Sequence, residues 1–370
     1  MNKNSLIVKF NDDVVGKLVL TKDKKVAFQY SDEWIRTGFS LNPFSLPLEK
    51  RVFIPNKTYF DGLFGVFADS MPDAWGNLLL DRMLRKNNIK REDVTVIDRL
   101  AIVGKNGMGC LTYEPAQEFS GAFEKSTLDE LNIECGKILK NQISDKVDDL
   151  FKLGGSSGGA RPKVLMNENG KNWLIKFPAS VDNDNIGLME FEYFKCARAC
   201  GITVPETKLF PSNINAGYFG IERFDIQNNK KVHVATVAGL LELDYRVPSL
   251  DYNELLKLTK ILTNGKDVYE MFRRMCFNVF AHNYDDHAKN FSFIYDPNKK
   301  YWQLSPAYDL TYSNTYFGEQ TTTVNGKGRQ IGDADLLKCG LNNNMDEIKC
   351  LTIIKEVKTC VNEMLKKYLN

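Results

Sequence analysis

Histidine is scarce in this chain, with three in 370 residues, so a metal centre built mainly on imidazole has little to draw on. His282 and His287 stand five apart, which puts them on different faces of a helix, unlike the i, i+4 histidines of a zinc hydrolase. Cysteine is present eight times (110, 135, 196, 200, 276, 339, 350 and 360), but no C-x-x-C pair occurs and no framework of short even spacings. Cys196 and Cys200 share a helix face, yet two thiols alone do not make a zinc site, and buried reduced thiols are the expectation. Neither sign of charge dominates: 49 Lys and Arg face 47 Asp and Glu, a net charge of +2 with pI near 8.0. No general affinity for nucleic acid follows, so any such contact needs a local patch or a partner. No window has the uncharged apolar length of a membrane span, and Met1 to Val8 runs straight into a strand-like pattern without a signal-peptide core. A soluble, cytoplasmic chain is expected. There is no internal repeat.

What the chain does have is the stretch Asn283-Tyr-Asp-Asp-His-Ala-Lys-Asn290, followed by Pro306-Ala-Tyr-Asp309-Leu-Thr. Together they offer a carboxylate at Asp285, an amide oxygen five residues later at Asn290, and a second carboxylate at Asp309. Phosphoryl transfer from a nucleotide needs such a set: one group to orient the attacking hydroxyl and two oxygen donors for magnesium. Magnesium takes hard oxygen ligands and keeps several waters, so two protein ligands from separate loops suffice. In that reading Asp285 receives or orients the hydroxyl proton, and Asn290 and Asp309 hold the ion. Lys289 and His287 stand near the transferred group. The bland reading of Asp285-Asp286 is a turn or capping pair. It leaves unexplained why Asn290 and Asp309 recur behind a glycine loop and a strand lysine.

The upstream half of such a site is also present. Leu153-Gly-Gly-Ser-Ser-Gly-Gly-Ala160 has linker-like composition, but it leads into Pro162-Lys-Val-Leu-Met, a turn at Asn167-Glu-Asn-Gly170, and Trp173-Leu-Ile-Lys-Phe177. A glycine turn entering a hairpin with Lys176 on its far strand is the layout of a lid over nucleotide phosphates. Backbone N–H groups of Ser156, Ser157, Gly158 and Gly159 would suit phosphate oxygens. No Lys-Ser/Thr follows, so the run does not fit a P-loop. Arg161 and Lys163 either add phosphate contacts or are solvated. Lys176 is either an outward-facing strand lysine or the group that neutralises the α- and β-phosphates, held by a Glu of the next helix. Glu190 and Glu192 are candidates, with Glu190 preferred. Glu222-Arg-Phe224-Asp225 ends the last strand of the small lobe, where backbone groups near Glu222 and Phe224 would meet an adenine edge.

Periodicity orders these pieces. Strands are expected at Leu6 to Phe10, Val14 to Leu20 and Val26 to Tyr30. Ser70-Met-Pro72-Asp73 reads as a helix entry, with Trp75, Leu78, Leu79, Met83 and Leu84 at helical spacing behind it. Further helices are expected over Asp93 to Val103, 127–141 and Gly187 to Cys200. A strand pair follows near Thr207 to Phe210 and Tyr218 to Phe224, and from about 230 the pattern turns mostly helical. The fold class is therefore α+β: a small β-rich N-lobe over residues 116–226 and a larger helical C-lobe over 227–370. Together they form a two-lobed, protein-kinase-like chain, preceded by a small α+β domain over residues 1–115.

At these residues the sequence resembles the HipA family of bacterial serine/threonine kinases, toxins of HipBA-type toxin–antitoxin modules. Phe67-Ala-Asp-Ser-Met-Pro-Asp-Ala-Trp-Gly76 with Leu80-Asp-Arg82 is similar to the family's N-terminal signature. Ser156-Ser-Gly-Gly-Ala-Arg-Pro-Lys163 resembles its glycine loop, Asp285-Asp-His-Ala-Lys-Asn-Phe-Ser292 its catalytic loop, and Tyr308-Asp309-Leu310 its magnesium segment. The resemblance implies an ATP- and Mg2+-dependent protein kinase that phosphorylates serine on a translation component, with aminoacyl-tRNA synthetases the target class. It also implies autophosphorylation on a loop serine, Ser156 when Gly159-Ala160 is matched to the family's Gly-Ala, with Ser157 as the neighbouring alternative. The implied partner is a helix-turn-helix antitoxin of the HipB type, through which any DNA contact would be indirect. Two other readings compete: a small-molecule phosphotransferase of the aminoglycoside type, which lacks the Phe67–Arg82 segment, and a non-catalytic, kinase-like module that holds an antitoxin.

Overall fold

The computed structural model describes residues 3–117, 126–155, 157–314 and 318–369. Ser156 lies outside the described residues. Contacts gather the chain into two compact units. The first is Met1–Leu188 with Lys208–Ala235 and Gly239–Glu242; the second is Met189–Thr207 with Thr236–Ala238 and Leu243–Asn370.

In the first unit, alternation of side chains sets the opening sheet. Strands β1 (Ser5–Phe10), β2 (Asp13–Leu20), β3 (Val26–Tyr30) and β4 (Leu111–Glu114) lie in the order β3-β2-β1-β4, all antiparallel. Leu6, Val8, Val15 and Leu18 turn inward, while Lys17 and Val19 face water, as a sheet with one wet face requires. The expected β1–β2 turn holds, with Asn11 at φ 54° between the paired Phe10 and Asp13. Helix Val96–Val103 starts later than its apolar spacing suggested. Thr95 caps it by accepting from the Asp98 N–H while Asp98 reaches back to the Thr95 N–H, and Arg91–Asp93 forms a separate 3-10 turn.

A second sheet of the same unit runs β5 (Lys163–Glu168), β6 (Lys171–Lys176), β8 (Tyr218–Glu222) and β7 (Thr207–Phe210). Its first hairpin turns at Asn169-Gly170, with φ 54° and 81°, the left-handed pair that a two-residue hairpin demands. Helix Ala74–Lys86 buries Trp75, Leu79, Leu80, Met83 and Leu84 in one core with Leu131 and Ile138 of helix Leu128–Leu139 and Leu150 of helix Val147–Gly154. Val164, Trp173, Ile175 and Phe177 of β5, β6 and the residue beyond join the same core. The apolar interior is therefore continuous between residues on both sides of position 115.

In the second unit, helix Val268–Phe280 is the most enclosed, with Met271, Phe272, Met275, Cys276 and Phe277 fully buried; it packs on helix Glu347–Met364. Helices Tyr252–Leu262 and Asp333–Asn342 flank it. The mostly helical expectation after 230 needs correction, because strands recur there: β12 (Ser292–Asp296) pairs with β13 (Tyr301–Leu304), and in the first unit β10 (Lys230–Lys231), paired with β9 (Ile226–Gln227), is followed by β11 (His233–Thr236), of which all but Thr236 belongs to that unit. Ser-Phe-Ile-Tyr-Asp and Tyr-Trp-Gln-Leu are short aromatic and β-branched runs around a turn, too brief for helical spacing to register.

Leu79→Ala would leave a hole where helix Ala74–Lys86 meets helices from beyond residue 115. A loss of about 2–5 kcal/mol is expected for the unfolding transition that includes the first unit, read from urea melts followed by tryptophan fluorescence. A loss under about 1 kcal/mol would mean this core is not shared.

Candidate functional site

The expected site residues are divided between the two units. In the second, helix Val268–Phe280 ends where the Ala281 N–H donates to the Phe277 carbonyl, and His282 at φ 52° swings the chain into the loop. The Asn283 N–H returns to the Asn278 carbonyl at 2.9 Å, tying the loop to the helix that launched it. A 3-10 turn over Ala288–Asn290 follows. Its geometry lets Asn290 Nδ2 donate to the Asp285 carbonyl at 2.7 Å. The amide nitrogen is thus the tethered end, and the oxygen is the end left to act as a donor to a cation.

The segment bearing Asp309 is fastened to the same loop. Arg274, buried in helix Val268–Phe280, donates to the Ser305 carbonyl at 2.7 Å and pairs with Glu270 at 2.9 Å. Tyr308 Oη donates to the Lys289 carbonyl at 2.8 Å, and Asn283 Nδ2 to the Asp309 carbonyl at 3.3 Å. Asp309 itself sits at φ 51°, a left-handed conformation that Asp tolerates better than most residues and that clusters at functional sites. Asn290 and Asp309 line one small cavity, together with Asn283 and Asp286. His287 and Tyr245 line a neighbouring cavity, and His287 Nδ1 is buried with no hydrogen-bond partner among the described residues. The Lys289 ammonium lies 4.7 Å from the centre of the Tyr245 ring.

Beneath the loop runs a hydrogen-bond chain that sequence reasoning missed. Asn283 Nδ2 donates to Asn278 Oδ1 (3.0 Å), Asn278 Nδ2 to Tyr252 Oη (2.9 Å), and Tyr252 Oη to Asp286 Oδ2 (2.6 Å). The Thr322 N–H closes it on Asp286 Oδ1 at 2.9 Å. Asp286, read from sequence only as half of a turn pair, is the buried member, and the carboxylate next to Asp285 is its signal. Burial lifts its pKa well above the ordinary value of 3.8, and the Asp285 charge adds to the rise, against the Thr322 and Tyr252 hydrogen bonds. The sign follows: a raised carboxyl pKa supports the fold at low pH and withdraws that support as pH climbs from 3.8 through the folded value. Asp286→Asn mimics the protonated form, so its stability should be flatter than that of the parent above pH 3.8. Chemical denaturation at a series of pH values checks this; parallel curves would refute it.

In the first unit, the glycine loop is held by protein groups. Ser157 is fully buried, its N–H donates to the Gly154 carbonyl at 3.0 Å, and its hydroxyl binds the same carbonyl. The Gly159 N–H, at a residue whose φ of 91° suits glycine, donates to Asp73 Oδ2 at 3.0 Å, and the Trp75 N–H donates to the Gly159 carbonyl at 3.3 Å. Asp73 therefore caps the loop rather than its own helix, which takes no side-chain cap bond from it. Gly76 completes the clasp, since a Cβ there would stand 1.8 Å from the Gly155 carbonyl oxygen. In this arrangement two of the N–H groups expected to meet phosphate already have protein acceptors. Neither Arg161 nor Lys163 is simply solvated: Arg161 makes two bonds to Asp182, at 2.8 and 3.0 Å, and Lys163 Nζ donates to the Gly158 carbonyl.

Lys176 ends β6 opposite Lys163, half-buried, with its ammonium 5.7 Å from the Phe219 ring centre. Of the two candidate glutamates on helix Ile186–Ala199, Glu192 is engaged by Tyr368 Oη at 2.5 Å and Lys367 at 2.6 Å, both in the second unit. Glu190, two residues earlier and so about 200° around the helix, is buried. The Glu222 carboxylate lies 3.5 Å from Lys171 Nζ, and the Arg223 N–H donates to the Asn172 carbonyl. Phe224 is half-buried beside the buried Arg223–Asp225 pair, whose Asp225 also accepts from the Gly109 N–H at 3.2 Å.

Asp73→Ala removes the acceptor of the Gly159 amide. Hydrogen–deuterium exchange of the 155–163 peptide should quicken by about tenfold or more, the kinetic equivalent of losing one charge-assisted bond of about 1.5–3 kcal/mol. Unchanged exchange would show that the clasp does not hold the loop.

Comparison with known proteins bears on this arrangement. The model of the HipA N-terminal domain matches residues 6–114, and that of the HipA-like C-terminal domain matches residues 155–365. A protein of Sinorhizobium fredii named "Putative kinase Y4dM" is 27% identical over 313 residues, covering 78% of this chain and 75% of that protein. A protein of Haemophilus influenzae named "Putative kinase" is 25% identical over 222 residues, 52% of this chain and 64% of its own length. Among solved structures, HipA of Shewanella oneidensis, in complex with HipB and operator DNA, superposes with a TM-score of 0.73 at 16% identity, over 98% of this chain and 90% of that one. At that identity the likeness concerns the fold. The α+β architecture, the two domain models matched in order and the loop residues they contain lead to one conclusion: the chain belongs to the HipA family.

Proposed function

We propose that this chain is an ATP- and Mg2+-dependent serine/threonine protein kinase, the toxin of a toxin–antitoxin module. The observation that carries the reading is the cavity shared by Asn290 and Asp309, with Asn290 tied through its amide nitrogen to the Asp285 carbonyl. An amide oxygen and a carboxylate are hard donors suited to Mg2+, and His287 Nδ1, which has no hydrogen-bond partner among the described residues, suits a group that brings its own oxygens. Mg–ATP, when bound, would supply the phosphoryl group and a cation to offset its charge. Asn290 and Asp309 would hold the ion, and Lys176 would face the α- and β-phosphates with Glu190 as its partner. Ser157 to Gly159 would cover the phosphates once the Gly159 N–H is released from Asp73. The backbone after Glu222 and the Phe224 ring would meet the base.

In the transfer step, the substrate serine hydroxyl gives its proton to Asp285 as its oxygen bonds to the γ-phosphorus, and ADP departs with the electrons of the broken P–O bond. Lys289 and His287 would sit beside the transferred group. The solved HipA complex, which holds HipB and operator DNA, supports an antitoxin of the HipB type as partner. The substrate, on the family resemblance of the motifs alone, would be a translation component such as an aminoacyl-tRNA synthetase, and DNA would be reached through a helix-turn-helix antitoxin. Autophosphorylation would fall on Ser156, because the Ser157 hydroxyl is buried and donates to Gly154. A phosphate at Ser156 would add about −2 of charge beside the nucleotide phosphates and expel the loop.

Incubation of the purified chain with γ-labelled ATP and Mg2+ should label the protein itself, in the peptide holding Ser156. Asp285→Ala should slow labelling by about 100-fold or more, the usual worth of a positioned base. Full labelling of Asp285→Ala, or ATP binding without transfer by the parent, would reject the kinase reading.

A further inference from the structure

A cluster of sulfur atoms lies in the second unit where two helices end. Cys196 and Cys200 stand at i and i+4 on helix Ile186–Ala199 and the residue after it, and Cys360 and Met364 stand at i and i+4 on helix Glu347–Met364. The two helices run antiparallel: Cys200 Sγ meets the Val357 carbonyl, Cys196 and Cys360 each direct Sγ to the other's carbonyl at 3.9 Å, and Glu192 meets Tyr368. Their C-terminal turns therefore overlap at the cluster. The ligand atoms of Cys196, Cys200 and Cys360 all lie within 4.8 Å of one another. Cys196 and Cys200 Sγ are 4.0 Å apart, and Cys360 Sγ is 3.7 Å from Met364 Sδ.

We propose that Cys196, Cys200, Cys360 and Met364 bind a thiophilic monovalent ion, copper(I). The spacing fits. At a metal–sulfur bond of about 2.3 Å, sulfurs lie about 4.0 Å apart in a trigonal plane and about 3.8 Å apart in a tetrahedron. The donor set is wholly soft, and a thioether beside thiolates favours copper(I) over harder cations. An ion can enter because Met364 is 41% exposed and Cys360 half-buried, whereas Cys196 and Cys200 are enclosed. A disulfide between Cys196 and Cys200 is disfavoured, since Cβ atoms one helical turn apart stand about 5–6 Å from each other and a bridge needs about 3.5–4.5 Å. Each thiol that ligates releases its proton to solvent, so binding strengthens as pH rises.

The test uses the full chain, reduced and stripped of metal, titrated with copper(I) in competition with a chromophoric cuprous chelator. About one ion per chain should be retained, with sulfur-to-copper charge-transfer absorption in the near ultraviolet. Cys360→Ser sits at the open side of the cluster and should fold, as circular dichroism will report, yet lose the ion and its absorption. Met364→Leu, of similar volume, should weaken retention by about tenfold or more. Copper retained equally by Cys360→Ser, zinc retained in preference to copper with Met364→Leu silent, or a Cys196–Cys360 disulfide in place of any bound ion would each overturn the assignment.

Discussion

Asp286 is the buried carboxyl group on which the loop geometry turns. A polar group taken out of water is tolerable only when its oxygens are met. Here the Tyr252 hydroxyl and the Thr322 N–H meet them, and through Asn278 and Asn283 the same chain reaches the Asp309 carbonyl. Fixing one buried group therefore sets the path of two loops that are about twenty residues apart in sequence. Asp285, Asn290 and Asp309 are presented by backbone that the network has already placed. Preorganisation of this kind keeps the three candidate site residues in register without requiring them to hold one another.

The first unit meets a comparable demand by a different route. A glycine-rich run has no side chains with which to hold a shape, so the shape must be imposed from outside. Helix Ala74–Lys86 does this by burying one face in a core it shares with helices beyond residue 115, and by offering Asp73 and the Trp75 N–H to Gly159. Gly76 lets that helix come within backbone contact of Gly155. The N-terminal signature of the family thus has a mechanical role that its position, eighty residues before the loop, does not disclose.

Much of the architecture was legible in local pattern. The strands near Leu6, Val14, Val26 and Val164 read as short apolar runs bounded by turn residues, the turns at Asn11 and Asn169-Gly170 carry the residues left-handed backbone requires, and Trp75 to Leu84 repeats at helical spacing. The candidate site segment could be singled out as well, because Asp285 to Asn290 is one short run with the spacing that phosphoryl transfer would ask for. The strand pair Ser292–Asp296 and Tyr301–Leu304 was not, being too short to show a period. Asp73 does stand at the helix entry, as the N-cap of Ala74–Lys86, but its side chain bonds Gly159 instead of its own helix: an acidic residue at a helix start has an ordinary local use, and only the position of Gly159 shows the other one.

Sequence by itself determined the residue types: hard oxygen donors at 285, 290 and 309, a glycine run free of side chains, and two pairs of sulfur-bearing residues four apart. Those follow from local chemistry and local periodicity, which a single stretch of chain carries within itself. Which glutamate is engaged elsewhere, which aspartate is buried, and which sulfur pairs meet were decided by tertiary structure alone. Burial and partnership are properties of contacts between segments distant in the chain, such as Cys196 with Cys360, and no local pattern encodes the approach of one segment to another.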